Sequence, residues 1–249
     1  MTVEIPTNIP IHSPLYPSSL SYTAANVRSL IVTCDASEDK LTRFLSGTPF
    51  TLLAPLVVIE SGVFGQCTAG DFCFSGVLIP VTYRGTSGAY YAFSYVDTDV
   101  SLALGREPFG YPKKLATFEV NEGDQGIEIK TWRQGRCIVE LGGEFIVNSA
   151  VGEPLVNTHP HLLLQVIPDV DGRRPIVNRI VSRDTSSSSE VIDAFGAVAH
   201  MQIDAGAGEG LETLGIQEVR EAQFVRTRFR SAPGKVIEDL LLVAKGNLE

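Results

Sequence analysis

From about residue 51 onward the chain is a succession of short β-branched and aromatic runs separated by glycine-rich turns, and this punctuation constrains the fold more than any other feature. "PLVVIESGVF", "GVLIPVTYRG", "AYYAFSYVD" and "VSLALGRE" read as successive strands. "GIEIKTW" and "RCIVELGG" flank Gln134-Gly135, a hairpin signal, with Ile127, Ile129 and Thr131 alternating against Glu128, Lys130 and Trp132. "HLLLQVIPDVDG" and "IVNRIVSRD" form a further pair around Asp171-Gly172, and "AQFVRTRFR" adds another strand. So many strands leave exposed edges unless the sheet closes on itself. The expected class is α+β: an antiparallel β-barrel-like core with a few peripheral helices, spanning 1–249 as one domain.

Helix signals are few. "DASEDKLTRFL" has Asp35 as a candidate N-cap with Glu38 three residues on, and Leu41, Phe44 and Leu45 make an apolar stripe. The tail "GKVIEDLLLVAK" carries Val236, Leu240 and Leu241 at helical spacing and predicts a closing helix. Residues 1–24, rich in Pro, Ser and Thr, read as an extended arm of the kind that wraps over a neighbour or a partner subunit.

Of the 249 residues, 44% are hydrophobic and 20% charged, as in an ordinary globular protein, and the formal net charge is −9. That charge excludes the basic footprint of a nucleic-acid binder, so a small molecule or a protein is the expected partner. The first twenty residues have neither a basic start nor an apolar segment, which argues against a signal peptide. The longest apolar run, Leu52 to Ile59, contains a proline and is too short to span a bilayer, so no membrane association is expected. Cys34, Cys67, Cys73 and Cys137 match no common zinc spacing and read as reduced thiols of a cytoplasmic protein.

"GREPFGYPKKLA", residues 105 to 116, carries the chemistry. Two adjacent lysines are either a solvated face or a way of keeping one amine uncharged. A neutral amine attacks a ketone to give an imine, whose protonated form draws electrons from the adjacent carbon as a C–C bond breaks. An ordinary lysine, with a pKa of about 10.4, is depleted roughly a thousandfold in that form at pH 7. Burial or a neighbouring cation must supply the difference. Pro112 biases Tyr111 to extended backbone, and if the extension continues Lys113 and Lys114 point to opposite faces. One lysine then enters a pocket, and its desolvation outweighs its neighbour's charge.

With its flanks, the segment closely resembles the active-site motif of the acetoacetate decarboxylase family: Gly-Arg-Glu, a few residues, then aromatic-Pro-Lys-Lys-Leu. "LIPVTYRGTSGAYYAFSYVDTDVSLALGRE" and "HLLLQVIPDVDGRRPIVNRIV" are similar to the family's strand pairs, so the resemblance covers most of residues 50 to 181. It implies Lys113 as the Schiff-base lysine and Lys114 as the neighbour associated with its lowered pKa. Glu60 matches a carboxylate facing the substrate, and Arg28, in "NVRSL", matches an arginine near the site. Arg106 and Glu107 belong to the motif, either in a direct role or as an ion pair bracing the lysine-bearing loop. Phe109, Tyr111, Phe74 and Glu107 are expected in the pocket, and Tyr90 and Tyr91 with the phenylalanines suggest apolar surroundings, strand register deciding which face inward. Phe74 stands where the decarboxylases carry a second pocket glutamate, and relatives lacking that carboxylate include enzymes resembling aldolases and dehydratases on keto acids.

The resemblance implies a lyase acting on a small β-keto acid, decarboxylation first and aldol or dehydration chemistry second. A catalytically silent ligand-binding barrel is the remaining reading. No cofactor is expected, and a homo-oligomer is. "DAGAGEG" lacks the Lys-Ser/Thr of a phosphate loop and reads as a turn. His159 and His161 alternate but show no third ligand, so no metal is expected. His161 is a candidate for the pocket border and His200 for a strand position. Arg226, Arg228 and Arg230 alternate along one strand face, a pattern of ion pairs or subunit contacts.

Overall fold

A computed structural model of the chain describes residues 7–146, 153–206 and 208–242. Its first part runs β1 (Thr23–Ala36), α1 (Glu38–Leu45), β2 (Thr51–Leu52), β3 (Leu56–Cys67), β4 (Phe72–Tyr83), β5 (Thr86–Val96) and α2 (Asp99–Phe109). Then follow β6 (Lys113–Leu115), β7 (Thr117–Gly123), β8 (Gly126–Arg133), β9 (Arg136–Ile146), β10 (His161–Pro168) and β11 (Pro175–Arg183). β12 (Ser189–Ile203), a 3₁₀ turn (Leu211–Leu214), β13 (Ile216–Arg230) and β14 (Lys235–Asp239) complete it.

All strands join one sheet in the order β14-β11-β10-β5-β4-β3-β1-β13-β12-β9-β8-β7, with β2 on β4 and β6 on β5. Pairing is antiparallel except where β5 meets β10 and β6 in parallel. The path does not close between β14 and β7, so the expected barrel is an open sheet curled into a barrel-like shape. Its main core draws on distant strands: Leu30 and Val32 of β1, Val77 and Ile79 of β4, Ile129 of β8 and Leu141 of β9. Alternation along the strands sends their intervening residues to the other face. There Val58, Leu78, Tyr91, Leu163 and Val181 form a second cluster under α2, with Ala103, Leu104 and Phe109. This second face holds the cavity.

Local chemistry explains where elements begin and turn. α1 is capped by Ser37, whose side chain accepts from the Lys40 N–H, and not by the expected Asp35, which lies within β1 and pairs with Arg220 at 3.3 Å. Gln134 and Gly135 both have positive φ, 51° and 77°, as a two-residue type I′ hairpin turn requires. "VSLALGRE", expected as a strand, is the body of α2. Thr98 caps it by accepting from Ser101 N–H at 3.3 Å, and Gly110 ends it at φ 83°. Val100, Leu102 and Leu104 alternate in sequence, but the residues buried are Ser101, Ala103, Leu104, Gly105 and Phe109, a helical spacing.

The expected closing helix is also corrected over its first half. Lys235–Asp239 is a strand on the free edge of β11, held by the Arg179–Asp239 ion pair at 3.1 Å. Residues 243–249 lie outside the described residues. The described part of the N-terminal arm packs on its own chain: Tyr16 is buried, and its hydroxyl donates to Glu107 on α2. Among the described residues, no helix is long and apolar enough to cross a membrane.

Candidate active site

Between the second face of the sheet and α2 lies a cavity of about 310 Å³. Its walls are rich in aromatic side chains, with Phe64, Phe72, Phe74, Tyr91, Phe109 and Tyr111 among them. Among the described residues Glu60 is the one lining carboxylate, and Lys113, His159, His161 and Arg183 are the lining basic groups.

β6 delivers Lys113. Its three residues pair in parallel with Ser94–Val96 of β5, so the two lysines project to opposite sides. Lys113 enters the cavity, where Nζ lies 2.9 Å from both the carbonyl oxygen and Oγ of Ser101. Lys114 leaves on the other side and pairs with Glu209 at 2.6 Å. Burial lowers the Lys113 pKa to about 7, and the second cause is the charge of Arg183. Lys114 is not among the causes, its charge being turned away and neutralised.

Gly105 makes the lysine's seat possible. A Cβ there would lie 2.5 Å from Lys113 Cδ and 3.0 Å from its Nζ, so α2 approaches β6 only because this position has no side chain. Arg106 then donates to the Lys113 carbonyl at 3.0 Å, tying the helix end to β6. Replacement of Gly105 by Ala is expected to favour the helix by about 1 kcal/mol. It should still cut imine trapping on Lys113 by about tenfold or more, because the amine is pushed from its seat. Thermal melts beside borohydride trapping check this; full trapping in the variant would show that the close approach is dispensable.

Glu60 stands on β3 opposite Gly76 of β4, where a Cβ would come within 2.6 Å of the Tyr91 ring and 3.3 Å of Glu60. Tyr91 reaches over this glycine and donates its hydroxyl to Glu60 Oε1. Burial pushes the Glu60 carboxyl up, and the bond from Tyr91 partly offsets this. An irregularity in the β4–β5 register, with Val77 opposite Phe93 but Leu78 opposite Tyr91, leaves Ala92 as an extra residue. As a result Tyr91 and Ser94 both face the cavity.

Arg183, at the end of β11, is 5% exposed. Its guanidinium lies 4.1 Å over the Phe109 ring and donates to the Tyr111 hydroxyl at 3.2 Å. The Tyr111 hydroxyl is 2.7 Å from His161 Nδ1. Arginine can only donate, so the arrangement that uses every proton has Tyr111 accepting from Arg183 and donating to Nδ1. His161 is then the neutral Nε2–H tautomer, in keeping with a pKa that burial, His159 and Arg183 all push down.

The structure brings Lys113, Glu60, Phe74, Phe109 and Tyr111 together and leaves three expected site residues out. Arg28 shares the face of Leu30 and Val32, away from the cavity, and pairs with Glu122 at 2.7 Å. Its neighbours Val27 and Ser29 line the cavity instead. Lys114 is held outside by Glu209, and Glu107 sits exposed on the outer side of α2, engaged by Tyr16. Arg106 and Glu107 form no ion pair with each other among the described residues.

His159 and His161 stack at 4.6 Å, with His159 Nε2 3.0 Å from Thr185 Oγ1. Glu128, Glu140 and His200 bring ligand atoms within 4.8 Å of one another on the strands β8, β9 and β12, but none lines the cavity. Both of these carboxylates face Lys130 at 3.6 Å. Arg226 and Arg228 form ion pairs, with Asp193 and Glu190. All four cysteines are free.

Sequence reasoning missed Arg183, Ser101 and Gly105. A glycine in the interior of α2 is a signal of close approach, but only once "VSLALGRE" is known to be helical.

The acetoacetate decarboxylase family model matches residues 8–241. Acetoacetate decarboxylase 2 of Mesorhizobium japonicum is 32% identical, over 94% of this chain and 89% of its own. The crystal structure of acetoacetate decarboxylase from Legionella pneumophila superposes with a TM-score of 0.80 at 25% identity, covering 88% of each chain. The enduracididine biosynthesis enzyme MppR, complexed with pyruvate, shares the fold with a TM-score of 0.76 at 16% identity, over 95% of this chain and 98% of its own. The chain belongs to the acetoacetate decarboxylase family.

Proposed function

We propose that this chain is a carbon–carbon lyase that binds a small β-keto acid as a Schiff base on Lys113 and decarboxylates it. The observation that carries the reading is one amine, enclosed in a cavity rich in aromatic side chains and with its pKa lowered to about 7, that shares this cavity with the Glu60 carboxylate. A neutral amine can give its two N–H groups to the oxygens of Ser101 and keep its lone pair for the substrate ketone. Attack and loss of water give an iminium, which accepts the electron pair released as carbon dioxide departs. Glu60, its carboxyl raised by burial, is suited to hand a proton to the enamine carbon, and Tyr91 holds it in place. Water then frees the product ketone and the amine.

One observation favours a second reading. Phe74 puts a ring in the cavity wall where the resemblance implies a second glutamate, leaving Glu60 as the only lining carboxylate among the described residues. An aldolase or aldolase-dehydratase uses the same lysine and the same enamine, adding it to an aldehyde. The fold neighbour complexed with pyruvate is in keeping with keto-acid chemistry of that kind.

Incubation with a keto acid and sodium borohydride is expected to add the reduced ligand's mass to the Lys113 peptide alone. Carbon dioxide release against aldehyde consumption then separates the two lyase readings. No adduct under any condition would leave a non-catalytic binding barrel. The carrier of this function is proposed to be a homo-oligomer acting in the cytoplasm.

A further inference from the structure

Arg183 is a buried cation without an anion. At 5% exposure it donates to the Ala232 carbonyl at 3.0 Å, the Ser231 hydroxyl at 3.1 Å and the Tyr111 hydroxyl at 3.2 Å, all neutral oxygens. Among the described residues it enters no ion pair, and the groups that act on its charge are tyrosines and not carboxylates. Tyr22, which also lines the cavity, is a fourth neutral partner, so of guanidinium's five N–H groups one is left for a ligand. A charge held away from water without a counter-ion is destabilising, and an anion entering the cavity would relieve that penalty. Arginine's planar fork fits a carboxylate in particular. Phe109 supports the guanidinium from below at 4.1 Å, fixing its plane.

We infer that Arg183 is the substrate-carboxylate receptor of this cavity, and that it binds a carboxylate which survives the reaction. A carboxylate about to leave as carbon dioxide loses its charge in the transition state. Pairing it with a cation would stabilise the ground state more and slow the step. Arg183 therefore selects ketones that carry a carboxylate kept in the product, either an aldol donor with an intact acid group or a keto diacid that loses its other carboxylate. This inference rests on the Schiff-base reading and names the substrate class for it.

The test compares borohydride trapping on Lys113 by ketones that differ in charge: pyruvate against pyruvamide, and 4-oxopentanoate against 4-oxopentanamide. In the unmodified protein the acid is expected to trap about tenfold or more faster than its amide for at least one chain length. In Arg183→Gln that ratio falls to about one, and in Arg183→Lys, which keeps the charge but loses the fork, to an intermediate value. The ratio is the readout because loss of Arg183 also changes the Lys113 amine itself. If a melting curve shows that the Gln variant does not fold, the fall in ratio for the Lys variant decides. A ratio near one in the unmodified protein, or one that the variants leave unchanged, overturns the inference while the Schiff base stands. Trapping by neither member of a pair overturns the Schiff-base reading beneath it.

Discussion

Replacement of Lys113 by Ala is expected to abolish borohydride trapping of keto acids, a loss of at least about a thousandfold, because no other amine shares its enclosure. Lys114→Ala, one residue away, should keep trapping within about threefold. The asymmetry follows from β6. Its extended backbone sends Lys113 into the cavity and Lys114 to Glu209 at 2.6 Å, and Glu209 is also bound by Arg133 at 3.1 Å. Burial first and Arg183 second set the Lys113 amine, so removing Lys114 leaves both causes intact. Equal losses in the two variants would mean that the lysines act as a coupled pair, contrary to the opposite-faces geometry.

Glu60→Gln has the second largest expected effect, and it is selective. Gln can still accept the Tyr91 hydroxyl, so the cavity keeps its shape, but it cannot take up and release a proton. Trapping should stay within about threefold, because imine reduction needs only the amine and the ketone. Exchange of the bound ketone's α-hydrogens with solvent deuterium, which passes through the enamine, should fall by about 10²–10⁴. Exchange at the original rate in Glu60→Gln would assign the proton transfers to another group, with His161 the first to examine.

Much of this arrangement was legible in the chain. Alternating runs located eight of the fourteen strands among the described residues, the long β1 and β12 not among them, while Gln134-Gly135 marked its hairpin and Pro112 foretold that the two lysines would part. The failures share one cause, since each depended on a partner distant in sequence. "VSLALGRE" alternates like a strand, yet Thr98 and the seat for Lys113 make it a helix. Arg28 was placed near the site by a motif, but the phase of β1 turns it to the other face and brings Ser29 to the cavity. Arg183 lay unremarked in "IVSRD" because nothing local says that β10 and β11 set it over Phe109. Tyr91 and Ser94 share the cavity only through an extra residue in β5, which periodicity cannot reveal.

The proposed chemistry requires Lys113 to hold a neutral amine at physiological pH, and titration of that amine is the decisive measurement. The rate at which a subsaturating ketone is trapped on the Lys113 peptide, which reports the free amine, is followed from pH 5 to 11. With the amine lowered to about 7 by burial, the rate should rise through a midpoint at about pH 7 and then level off. A midpoint at about 10.4, that of a lysine in water, would contradict the account.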